Sequence, residues 1–119
     1  MHRYLTYSAY GWLAVSGALH FAVDVVSQCV RGKRVPGVET TLYYGLNCAF
    51  ALGQVVFGLL GSFIAWRAMN LLSEPPVMFL SVAAALGWLA ITFFFMEYWE
   101  PKLNAGIFCV LIIAACLTR

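Results

Sequence analysis

The sequence predicts an all-α, polytopic membrane protein: one domain, an antiparallel bundle of four transmembrane helices with both termini on the same side. Three observations predict it. Hydrophobic residues make up 63% of the chain and charged residues only 10%, against roughly 25% charged in an ordinary soluble domain. Four apolar stretches approach the ~20 residues that cross a bilayer. Aromatic rings gather at the ends of these stretches, where amphipathic side chains sit among headgroups.

The first span runs from Tyr10 to Val30, with Tyr4, Tyr7, Tyr10 and Trp12 clustered at one end. Met1-His2-Arg3 followed by an apolar run superficially resembles a signal peptide, but the run is longer than an h-region of about 7–15 residues. No small-x-small cleavage site precedes a polar segment, so a retained span is expected. The second span, Leu42–Trp66, holds no charged residue; Tyr43 and Tyr44 open it and Trp66 closes it. The third, Val77–Phe95, starts after Pro75-Pro76, and Tyr98 and Trp99 follow it. The fourth, Pro101–Leu117, is short, which predicts Pro101 in its first turn and Glu100 beside the positive end of the helix dipole. Pro36-Gly37 and Ser73-Glu74-Pro75-Pro76 read as turns. Such brief connections predict that sequential helices pack as antiparallel neighbours.

A net charge of +2, with no basic run interleaved with aromatics, argues against nucleic-acid binding. Cys29, Cys48, Cys109 and Cys116 form no CxxC pair and lie in apolar segments, so they read as small helix residues. No metal site or cofactor is expected, and no zinc-protease, nucleophile-elbow or phosphate-loop motif occurs. Haem between His2 and His20 would need them at one depth, and they lie far apart along the first span.

The informative residues are polar. Ser16, His20, Asp24 and Gln28 recur at four-residue steps and fall on one stripe of the first helix. Tyr43, Tyr44, Asn47 and Gln54 enter the second helix from the same side of the membrane, and Glu97 ends the third there. Asp at membrane depth costs about 2.5 kcal/mol or more on insertion scales, so His20 and Asp24 should face inwards and bond one another. These nine residues are the candidate ligand-binding set, a pocket opening towards the first loop; the opposite half of the bundle reads as nearly free of polar groups. Hydrogen bonding between helices alone is the alternative reading. Ala14, Ala18 and Ala22 form one small-residue line, and Gly58 with Ser62 and Gly61 with Ala65 form others, expected to pack within the bundle.

Two stretches carry a resemblance. Gly45-Leu46-Asn47-Cys48-Ala49-Phe50-Ala51-Leu52-Gly53-Gln54, continuing to Gly61, resembles the second helix of a group of small bacterial four-helix membrane proteins, loosely similar to the DoxX-like membrane proteins. The final FFFMEYWEPKLNAGIFCVLIIAACL resembles that group's last two helices. The resemblance implies a four-helix fold in a bacterial inner membrane and no particular activity. In plan only, the His20/Asp24 pair with Glu97 is similar to the buried acidic groups of emopamil-binding and sigma-type proteins. Small multidrug transporters also carry an acidic residue in helix one, nearer mid-span than Asp24.

The expected function is a non-catalytic accessory or assembly subunit of a larger membrane complex, with the lipid bilayer and other membrane proteins or a homo-oligomer as partners. One alternative is a binder or isomerase of a lipid, sterol-like or quinone-like molecule using His20 and Asp24. The other is a dimeric proton-coupled transporter titrating Asp24. The Arg31/Lys33/Arg34 cluster favours a cytoplasmic first loop.

Overall fold

A computed structural model describes all of residues 1–119. It is an all-helical bundle of four helices, each long and apolar enough to span a membrane: α1 (His2–Val30), α2 (Val38–Leu72), α3 (Pro75–Phe95) and α4 (Trp99–Leu117). The helices outrun the apolar stretches that announce them. α1 begins at His2, and so includes Tyr4 and Tyr7. α2 continues past Trp66 to Leu72, broken at Ala68, whose backbone leaves helical geometry (φ −153°, ψ 59°). α3 starts at Pro75 and α4 at Trp99.

Local chemistry sets the ends. α1 closes on Gly32 at φ +59°, with Gly32 N–H donating to Cys29 O and Lys33 N–H donating to Gln28 O. That is a glycine-centred stop in which the left-handed residue costs little because it has no Cβ. Pro75 and Pro76 occupy the first turn of α3, where a missing N–H leaves no bond unmade. Between α3 and α4 the chain is extended at Met96. The Lys102 ammonium donates to the carbonyls of Met96 and Tyr98, holding this link against α4.

α1 is the central helix, flanked by α2 and α4, with α3 packed on α4. α2 and α3, although joined by only Ser73 and Glu74, make few close approaches. The expectation that sequential helices pack side by side therefore holds for α1–α2 and α3–α4 and fails for α2–α3. Side-chain size explains this. α2 turns its small residues towards α1: a Cβ on Gly58 would sit 2.5 Å from the Ala14 backbone nitrogen, and one on Gly61 would strike the Tyr10 ring. Between α2 and α3 stand aromatics instead. Trp88 lies edge-on to Phe57 (5.4 Å) and to Phe108 (6.2 Å), keeping the two helices apart. The small-residue lines are thus half right. Gly58, Gly61 and Ala65 are buried, but Ala18 and Ala22 are exposed on the outer face of α1.

The packed core lies towards the termini, built on Tyr10, Leu13, Ala65, Leu72, Phe108 and Ile112. That half is not free of polar groups as expected. Tyr10 and Ser81 share a buried hydroxyl–hydroxyl bond of 2.7 Å. His2 donates from Nδ1 to Ala115 O (2.7 Å) and pairs through Nε2 with the Ser73 hydroxyl (2.9 Å). Neither contact stands out in sequence: His2 and Ser73 lie outside the apolar stretches and join only when the ends of three helices meet, and Tyr10 and Ser81 lie in two different stretches that no local spacing pairs.

Candidate functional site

The loop-side half of the bundle is organised differently. From Phe21 to Ser27 α1 widens into a π-helical turn, a feature that recurs at functional sites. Asp24 lies inside it and His20 immediately before it. Asp24 Oδ2 lies 2.8 Å from His20 Nδ1, and His20 Nε2 lies 2.8 Å from Asn47 Oδ1 on α2. His20 also meets the Phe50 ring edge-on at 5.0 Å. Its imidazole is clamped on three sides.

The orientation of Asn47 decides the protons. Its Nδ2 donates to the Tyr43 carbonyl at 2.9 Å, which turns Oδ1 towards His20. An amide oxygen only accepts, so His20 Nε2 carries a hydrogen. Nδ1 then either donates to a carboxylate or accepts from a protonated Asp24. Both arrangements leave the His20–Asp24 pair neutral overall. That is the condition for holding two ionisable groups at membrane depth without burying a net charge.

Beyond Asn47 lies a cavity of about 700 Å³, between α2, α3 and the α3–α4 link. Volumes of ~300–1,000 Å³ are typical of small-molecule sites. Its walls are chiefly apolar: Leu46, Ala49 and Phe50 from α2, Trp88, Ile91 and Phe95 from α3. The polar groups are Arg34, Tyr43, Asn47, Glu97 and Tyr98, on the loop side. The cavity exists because α2 and α3 do not close on one another. Trp88, the ring that separates them, forms part of its wall.

Arg34 organises the mouth. Its Nε donates to Gln28 Oε1 at 3.2 Å and its Nη2 to the Tyr98 hydroxyl at 3.4 Å. Its guanidinium carbon lies 3.3 Å from the centre of the Tyr43 ring, a cation–π stack. Gln28 in turn donates to the Tyr43 hydroxyl at 3.1 Å. Burial, the largest influence on Arg34, favours its neutral form, but contacts with Tyr43 and Tyr98 outweigh it and hold its pKa above the ordinary value. It is a fixed cation. No carboxylate lies within 4 Å of it, since His20–Asp24 is the only close acid–base contact in the molecule.

Of the nine candidates, the structure brings Tyr43, Asn47 and Glu97 to the cavity wall. His20 stands behind Asn47, and Asp24 behind His20. Gln28 supports Arg34 and Tyr43 at the rim. Tyr44 packs edge-on against Tyr43 at 5.4 Å. Ser16 is turned back onto the Leu13 carbonyl, and Gln54 is buried where α2 crosses Gly17. Neither faces the cavity. Sequence reading missed Arg34, Trp88 and Tyr98 as site residues, although Arg34 was visible as part of the basic first loop. No protein-family model, curated protein or solved structure matches the chain.

Proposed function

We propose that this integral membrane protein binds a lipophilic small molecule in the cavity between α2 and α3. One observation carries the reading. A cavity of about 700 Å³, apolar along its walls and polar only at its loop-side mouth, lies between two membrane helices that do not close. An amphiphile diffusing in the bilayer could enter sideways and keep its head at the interface. Binding fits the geometry better than isomerisation. The acid–base pair His20–Asp24 reaches the cavity only through Asn47, and a general acid or base must lie within hydrogen-bond reach of the group it protonates.

The test is native mass spectrometry of the gently extracted protein beside an Ala49→Trp variant, which fills the cavity from its wall. A co-purified lipophile of defined mass in the wild type, lost from the variant, is the expected result. An accessory subunit of a larger complex would instead retain a stoichiometric protein partner and carry no lipophile sensitive to position 49. That outcome would overturn the binding reading.

A further inference from the structure

The mouth of the cavity carries two opposite charges that do not neutralise one another. Arg34 and Glu97 both line it, yet no carboxylate oxygen lies within 4 Å of the guanidinium and no Lys, Arg or His nitrogen within 4 Å of Glu97. The other nearby cations are occupied or turned away. Lys102 is held by the carbonyls of Met96 and Tyr98 and Arg31 by Ser27, while Lys33 lines a hollow on the first loop, with Arg34 and Glu39, and does not line the cavity. Arg34 spends one N–H on Gln28 and one on Tyr98, so of the five donors of a guanidinium three are free. Asn47 uses one amide hydrogen on the Tyr43 carbonyl, and its second is also free, at the same wall. On the apolar side, Tyr43 to Phe50 on α2 spans seven helical steps, about 10 Å of helix. That is about a third of a ~30 Å hydrocarbon core, so a longer tail must leave between α2 and α3 into the bilayer.

We infer that the cavity selects a zwitterionic amphiphile from the bilayer, its phosphate seated on Arg34 and its ammonium on Glu97. The inference rests on the binding reading above and names the ligand class. A phosphate accepts several hydrogen bonds from a guanidinium fork at once, which favours arginine for this contact. A carboxylate left unpaired beside it disfavours a purely anionic head but suits one that also carries an ammonium. A neutral amphiphile would leave both charges unanswered.

The experiment uses the purified protein in detergent and four single-chain amphiphiles of equal chain length: lysophosphatidylethanolamine, a fatty acid, a monoacylglycerol and an alkylammonium. Each is brominated so that it quenches Trp88 on binding, with Trp88→Phe reporting the signal from the other tryptophans. Lysophosphatidylethanolamine should bind tightest. R34Q should weaken it about tenfold or more, the loss expected for a charge-assisted hydrogen bond, and by clearly more than it weakens the monoacylglycerol, which shares only the loosening of the mouth. E97Q should also weaken it while tightening the fatty acid. Both positions are exposed or at the rim, and unchanged thermal melts would show that the variants fold. If the monoacylglycerol binds as tightly as lysophosphatidylethanolamine, or E97Q leaves the latter unchanged, the headgroup inference fails while binding in the cavity stands. If no probe binds in a manner abolished by Ala49→Trp, both fail.

Discussion

Asp24 offers a sharp test of how the buried pair is held. If neutrality and hydrogen bonding together stabilise it, Asp24→Asn should cost little. An asparagine amide can donate to His20 Nδ1 while the neutral imidazole keeps its Nε2 hydrogen on Asn47, so both ring nitrogens of His20 stay paired and no charge is stranded. The exchange replaces a bond to a charged group, about 1.5–3 kcal/mol, by a neutral one of about 0.5–1.5 kcal/mol, a loss on the order of 1 kcal/mol. Bonds within membranes are often weaker still, about 0.6 kcal/mol on average in one protein. Asp24→Leu differs. His20 is 6% exposed, and its Nδ1 loses its only partner, a desolvation cost of about 1–3 kcal/mol in addition to the lost bond. Reversible unfolding in mixed micelles, followed by circular dichroism, should rank wild type, Asp24→Asn and Asp24→Leu in that order, with the larger step at leucine. Equal loss in both variants would refute the reasoning, because it would mean that the charge of Asp24, not its hydrogen bond, holds the site together.

Other consequences are as direct. Gly58→Ala places a methyl 2.5 Å from backbone that cannot yield, about 0.9 Å inside the 3.4 Å at which ordinary contact begins, and should cost about 1–3 kcal/mol by overpacking. Gly45→Ala and Gly106→Ala, with nothing within 4 Å, should be neutral or slightly stabilising in the same unfolding assay. Tyr10→Phe removes the 2.7 Å bond to Ser81, but Ser81 keeps its bond to the Val77 carbonyl; the expected loss is about 0.5–1.5 kcal/mol, and a larger one would implicate the ring's packing. If the basic first loop is cytoplasmic, an impermeant maleimide should label the exposed Cys29 in inside-out vesicles and not in intact cells, with the other three cysteines replaced by serine.

Much of the fold was legible because a bilayer imposes a simple code. An apolar run near 20 residues must be helical, since no water satisfies its backbone, and Pro36-Gly37 and Pro75-Pro76 sit where one helix gives way to the next. Helix ends were less legible. α1 takes in Tyr4 and Tyr7, and α2 runs past Trp66, because helical hydrogen bonding does not stop where hydropathy falls. The neighbour order was legible for α1–α2 and α3–α4, from their short connections, and not for α2–α3. That exception depends on where Gly58 and Gly61 face relative to Ala14 and Tyr10, and on Trp88 wedging α2 from α3, and no local pattern reports either. The candidate site was therefore read from one side only. The His20–Asp24 contact follows from four-residue spacing, and Asn47 from its depth. The cavity wall at Trp88, Ile91 and Phe95 is invisible until the wedge is seen, because in sequence those residues resemble any lipid-facing surface.

Asn47 joins the two halves of the site, and this makes Asp24 matter to a cavity that it does not line. The amide can present a free N–H to the cavity only while its oxygen is held by His20 and its other hydrogen by the Tyr43 carbonyl. His20 is held in turn by Asp24. Without that carboxyl, the imidazole loses the partner that orients it and is free to turn, so the Asn47 oxygen loses its donor and the amide is held by the Tyr43 carbonyl alone. A phosphate beside Arg34 would then meet a donor that is no longer fixed in place. Asp24→Leu should accordingly weaken lysophosphatidylethanolamine more than monoacylglycerol, and Asp24→Asn should leave the ratio of their affinities unchanged. Both affinities falling together would show that Asp24 supports the fold alone. A fall confined to the charged head would identify the buried pair as the element that holds the Asn47 donor in place at the cavity wall.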